Sequence, residues 1–178
     1  MTLKATIIDG IIDIEGGYVN NPIDSGGKTN YGITEQVARD YGYMGDLRDM
    51  PRRTAFEIYA ERYWYPVRAG DLAEISEALA FEVVDTGINA GIRRAGIFLQ
   101  RSLNVLNNRE KYYSDIMVDG LIGQATINAV TQYARQRDIS VLVKMLNCLQ
   151  GAFYVELAEK REKDEAFIYG WIKNRIEL

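Results

Sequence analysis

The 178-residue sequence contains no histidine. Without imidazole no side chain has an ordinary pKa near neutrality, which excludes Ser–His–Asp and Cys–His nucleophile systems and His-ligated metal sites. A single cysteine, Cys148, excludes an intrachain disulfide and cysteine-cluster metal sites. Proline is scarce, with three residues, and no flexible linker, repeat or low-complexity tract is present. Lys4, Asp9 and Asp13 interrupt the apolar stretch 3–14, which falls far short of the ~20 residues a membrane span needs. That stretch also lacks the basic n-region and continuous apolar segment of a secretory signal. The expectation is synthesis in the cytoplasm without a signal peptide and without stable membrane insertion.

What remains is an ordinary globular composition, 47% hydrophobic and 26% charged, enough for one domain or two small ones sharing a core. If the protein is an enzyme, its proton chemistry falls to the 25 Asp and Glu residues, and no metal or organic cofactor is expected. The net charge of −4 argues against nucleic acid as a ligand. The charge is uneven: residues 1–90 hold 8 Lys/Arg against 15 Asp/Glu (−7), and residues 91–178 hold 13 against 10 (+3). Solvated helix faces and an anion-binding surface explain the second half equally well.

Periodicity predicts a mainly α fold with a small β-hairpin or turn-rich insertion near the N-terminus. Leu3, Ile7, Ile8, Ile11, Ile12 and Ile14 recur at near-helical spacing, giving an amphipathic helix that runs into Glu15 and stops at Gly16-Gly17. The segment YVNNPIDSGGKTNYGIT reads as a small irregular hairpin. Thr34 then caps a short helix to about Asp40. Pro51 suits the first position of a helix over 51–65 that ends before Pro66. Further helices are expected from Ser76 to Gly91, Arg93 to Leu106, Gly123 to Tyr133 and Ile139 to Lys163, with a short last one carrying Phe167, Trp171 and Ile176. A boundary at residue 91 separates two parts, 1–91 and 92–178, expected to pack together.

Glu15 ends an apolar helix beside a turn-rich segment. A carboxyl flanked by Ile12 and Ile14 and facing a cleft is partly desolvated, which makes it a credible proton donor. Asp24 follows nine residues later, in a loop where water and backbone N–H groups would keep it ionised, and Thr29 follows five residues after that. An inverting glycosidase needs one protonated carboxyl for the leaving oxygen, a second group to activate water on the opposite sugar face, and room for that water. Glu15, Asp24 and Thr29 meet that requirement in kind, although such spacing also arises by chance and Asp24 is an ordinary turn residue.

The order Glu, Asp, Thr resembles the small phage-type lysozymes. The whole string is more specific. Glu15-Gly16-Gly17-Tyr18-Val19-Asn20-Asn21-Pro22, followed by Asp24-Ser25-Gly26-Gly27-Lys28-Thr29-Asn30-Tyr31-Gly32-Ile33-Thr34, resembles the N-terminal signature of glycoside hydrolase family 108, bacterial and phage N-acetylmuramidases. The Tyr63-Trp64-Tyr65 segment is similar to that family's as well, so the likeness spans about residues 7–91. It implies a lysozyme-like helical fold and a catalytic Glu at Glu15. Many members carry a second Asp where this chain has Ile23 or Ser25, a difference that leaves Glu15 and Asp24 untouched.

The second half resembles the predicted peptidoglycan domain that follows in such proteins, through residues 85–91, 98–104 and the Asp119-Gly120-x-x-Gly123-x-x-Thr126 turn. For that turn, wall binding and plain architecture are equally good readings. Tyr18, Asn30, Tyr31 and Trp64 are candidate substrate contacts, with Tyr31 the strongest because it neighbours Thr29. For Trp64 and Tyr65, burial in the core is the stronger expectation.

The resemblance implies a peptidoglycan hydrolase that cuts the β-1,4 bond between N-acetylmuramic acid and N-acetylglucosamine, a phage or prophage endolysin reaching the periplasmic wall through a holin or another export route. A non-catalytic wall-binding or secretion-associated protein, a lytic transglycosylase and a chitinase-like enzyme are the alternatives.

Overall fold

The computed structural model describes residues 2–20 and 27–176. By packing, the chain divides into two compact units, Met1–Tyr65 and Pro66–Leu178. The fold is mainly α, with one small antiparallel sheet in the first unit.

In the first unit, helix α1 (Leu3–Glu15) starts where the Thr2 hydroxyl accepts the Ala5 N–H at 3.3 Å. Ile7, Ile8, Ile11 and Ile12 form its buried stripe, and α1 packs against α3 (Arg52–Tyr59). Fully burying each isoleucine stabilises by about 1.5–3 kcal/mol, so this stripe fixes the helix end that carries Glu15. Ile14 does not help shield that carboxyl as expected: it is 74% exposed. It lies about 90° around the helix from the apolar stripe's centre and points to solvent. Arg52 adds a clamp, reaching Asp9 at 3.1 Å and Asp13 at 2.7 Å, which lie one turn apart on α1.

The expected hairpin is a three-stranded sheet, β1 (Val19–Asn20), β2 (Lys28–Asn30) and β3 (Ile33–Thr34), paired in that order. Asn30 pairs with Ile33, leaving Tyr31 and Gly32 as a two-residue turn. Both have positive φ, 52° and 71°, the type I′ geometry that matches strand twist. Helix α2 (Glu35–Tyr41) follows, and the Thr34 hydroxyl caps it by accepting the Val37 N–H, as its sequence suggests. A 3-10 turn, Leu47–Asp49, leads to α3. Pro51 is the residue before that helix and not its first member, and the expected single helix over 51–65 widens into a π-helical turn at Ala60–Trp64.

In the second unit, α4 (Ala69–Ile75) is a helix that Pro66 and Gly70 conceal in the sequence, because both read as breakers. Helix α5 (Glu77–Ala90) begins where the Ser76 hydroxyl accepts the Leu79 N–H. It packs against α4, α6 (Ile92–Leu106) and α8 (Ile139–Lys160), while α7 (Gln124–Gln136) lies on α4 and α6, and α9 (Glu165–Arg175) on α8. Surrounded in this way, α5 buries residues on most of its circumference. By length and composition α8 is the one helix among those described that is apolar enough to cross a membrane. Its Asn147 and Gln150 are instead buried and bonded to carboxylates of α5, which marks a core helix.

The Asp119-Gly120 turn is held from within. Buried Gln100 donates to the Asp119 carboxylate at 2.8 Å and accepts the Gly120 N–H at 2.8 Å, while its amide also reaches Thr126. A Cβ on Gly96 would lie 2.3 Å from the Gly120 carbonyl oxygen, so α6 and the turn meet through glycine. Of the two readings of this motif, these contacts favour the architectural one.

Candidate active site

The site grows from the C-terminal end of α1. The helix stops at Gly16, whose φ of 75° turns the chain away and whose N–H still bonds to the Ile12 carbonyl. Glu15 is thereby left half-buried at the end of a helix fixed by its isoleucine stripe. The β2–β3 turn comes up against it. A Cβ built on Gly32 would lie 2.9 Å from Glu15 Oε2 and 2.9 Å from the Tyr59 hydroxyl. Only glycine leaves room there, so the carboxyl, the tyrosine and the turn backbone converge on one point.

Tyr59 is the residue that sequence reasoning missed. It is buried in α3, and its hydroxyl donates to the Tyr31 carbonyl at 3.0 Å. This bond ties the strained turn to the helix that packs on α1. Its ring also lies 5.7 Å from that of Tyr63. The available signal was helical spacing: Ala55, Ile58 and Tyr59 share the buried face of α3, yet nothing in a spacing shows that a hydroxyl will meet a hairpin turn.

The other expected site residues separate into groups. Thr29 sits at the centre of β2, opposite Val19 on one side and Thr34 on the other, and is half-buried. Tyr31 occupies the turn beside Glu15, half-exposed. Tyr18 is half-exposed between α1 and β1, with the Arg48 guanidinium 5.5 Å from its ring. Asn30 is 3% exposed and donates to the Leu47 carbonyl, so its amide fastens the sheet to the 3-10 turn instead of facing an open cleft. Alternation explains the difference, because neighbouring strand residues face opposite sides. Trp64 is 6% exposed, a core residue as weighed, whereas Tyr65 departs from the core expectation: it is 59% exposed and accepts a hydrogen bond from Lys4 at 2.7 Å. Asp24 lies outside the described residues. Among the described residues no group of three His, Cys, Asp or Glu side chains is placed to hold a metal ion.

A short antiparallel sheet beside the end of the N-terminal helix, within a mainly helical chain, is a lysozyme-like fold. The family comparison is more specific. Residues 8–91 form a glycosyl hydrolase 108 domain, matching the family model described as "Glycosyl hydrolase 108", and residues 94–176 match one described as "Predicted Peptidoglycan domain". Together they make the protein a glycoside hydrolase that acts on peptidoglycan. Among solved structures it is similar in fold to SagA of Brucella abortus, with 23% identity over 96% of each chain and a TM-score of 0.65. No curated protein matches the chain. Helices α4 and α5 fall within the first family match by sequence and within the second compact unit by packing.

Proposed function

We propose that the protein is an N-acetylmuramidase, cutting the β-1,4 bond between N-acetylmuramic acid and N-acetylglucosamine. The observation that carries this reading is the convergence of the Glu15 carboxyl, the Tyr59 hydroxyl and the Tyr31-Gly32 turn. Protonated Glu15 gives its proton to the glycosidic oxygen as the C1–O bond breaks and positive charge develops on the muramic ring. A water held by Thr29 adds to C1 from the other face, and its proton goes to Asp24 or, where the Asp24 carboxylate instead stabilises the charge on the ring, to bulk water. Tyr59 acts through position, keeping the turn and the Glu15 helix end in register. Tyr18 and Tyr31 contact the sugars.

Residues 1–91 carry the hydrolysis and residues 92–178 hold the wall. The biological setting we propose is that of a phage or prophage endolysin, made in the cytoplasm and acting on the periplasmic wall once a holin or another export route admits it.

Digestion of purified sacculi by the wild type and by Glu15→Gln, with mass spectrometry of the products, tests the assignment. Reducing muramic ends from the wild type and none from Glu15→Gln are expected. Terminal 1,6-anhydro sugars would replace the hydrolase by a lytic transglycosylase, and reducing N-acetylglucosamine ends would overturn the bond assignment.

A further inference from the structure

A groove of about 550 Å³ opens between α6 and α8, within the segment that matches the peptidoglycan domain. Its walls follow helical spacing. Arg94, Ile97 and Arg101 line it from α6, and Leu149, Phe153, Glu156 and Lys160 from α8. The floor is apolar and the rim is cationic. Arg94 and Arg101 stand two turns apart, about 10 Å along the axis. Glu156 is the one carboxylate in the lining, and it is already engaged by Lys160, which holds its carboxyl below the usual range. The Lys160–Glu156 pair cancels, so the lining carries a net positive charge from Arg94 and Arg101, in a chain whose net charge is −4.

We infer that this groove is the wall-binding site of the second half, and that it holds the acidic peptide stem of peptidoglycan instead of the glycan. The inference rests on the reading that residues 92–178 hold the wall. Sugar rings bind on open aromatic faces, but of the two aromatic rings in the lining Phe153 is covered by the Arg94 guanidinium, 4.1 Å from its centroid, and Phe98 is buried at 6% exposure. The stem supplies what the lining lacks: free carboxylates for planar guanidinium groups and alanine methyls for an apolar floor. An extended peptide advances about 3.3–3.6 Å per residue, so carboxylates some three residues apart would meet Arg94 and Arg101 together.

The test uses full-length Glu15→Gln, and compares its binding to immobilised glycan strands that carry stems, released from sacculi by an endopeptidase, and to strands freed of stems by an amidase. Stripping is expected to weaken binding at least tenfold. Adding Arg94→Glu and Arg101→Glu is expected to do the same on stem-bearing strands with an unchanged thermal midpoint. If that midpoint falls, the neutral pair Arg94→Gln and Arg101→Gln is judged by the same criterion. Equal binding to stem-bearing and stem-free strands would overturn the stem as ligand while leaving wall binding in place. Stem-dependent binding that ignores the arginine substitutions would overturn the groove. No binding to either preparation would remove the wall-binding reading itself, and the groove assignment with it.

Discussion

Two sets of acidic residues in this chain stand in opposite surroundings. Glu15 ends α1 half-exposed, beside a turn that glycine keeps open. Glu82 and Asp85 lie one turn apart on α5, sealed inside the second unit. Asn147 and Thr86 donate to Glu82, and Gln150, Asn89 and Arg175 donate to Asp85. Carboxylates wrapped in donors and closed to solvent cannot reach a substrate; they join α5, α8 and α9. The comparison teaches that composition alone does not separate the two kinds of acid. Glu15, the proton donor we propose, is set apart by the end of a helix, where backbone and side chain leave the core together.

The strongest way to break this contrast is to remove each acid's role in turn. Glu15→Gln is expected to lower sacculus hydrolysis by about 10²–10⁴-fold, the range for loss of a general acid, with the thermal midpoint of the wild type. Retained turnover would end Glu15's claim. In the second unit, Arg175→Ala leaves Asp85 without its cation. Breaking a buried pair costs about 3–5 kcal/mol, and the lower end applies because the Arg175 side chain is 21% exposed. Urea unfolding should show that loss, while the folded variant still cleaves sacculi. A variant of normal stability but no activity would instead place the α5 carboxylates in the chemistry.

Gly32→Ala sharpens the comparison at a smaller scale. The new Cβ would meet Glu15 Oε2 and the Tyr59 hydroxyl at 2.9 Å, and φ at this position is 71°. A left-handed L-residue costs about 1–2 kcal/mol, and displacing the acid by an ångström costs on the order of 10²-fold in rate. Gly17→Ala is the control, since nothing lies within 4 Å of its added Cβ. Circular dichroism melts and turnover should both change for Gly32→Ala and neither for Gly17→Ala. Equal effects would mean that the crowding at Gly32 has no bearing on catalysis.

Much of this was legible in the sequence where local chemistry and tertiary packing agree. The α1 stripe, the caps at Thr34 and Ser76 and the position of Glu15 follow from periodicity and capping. Two kinds of feature were not legible. Helix α4 lies behind Pro66 and Gly70, whose breaker character is overridden by burial of Ala69 and Leu72. Tyr59, Asn30 and the partners of Asp85 depend on contacts between residues far apart in sequence, Tyr59 with Tyr31 and Arg175 with Asp85 among them. Spacing cannot report such pairs, because they exist only once the elements have packed.

The smallest expected effect concerns Asp119, an acid of the second unit that is half-exposed and bonded within a turn. The Gln100 amide and the Leu121 N–H donate to its carboxylate and hold its pKa below the usual carboxylate value. A group whose folded pKa is depressed adds stability above its unfolded pKa of about 3.9 and loses it as the pH falls through the folded value. Asp119→Asn should therefore be less stable than the wild type in urea at neutral pH, and the gap should narrow as the pH is lowered below 4. Sacculus hydrolysis by the folded variant should be unchanged. A gap of constant size across that pH range would show that neutral hydrogen bonding, and not the carboxylate charge, holds the turn against Gln100.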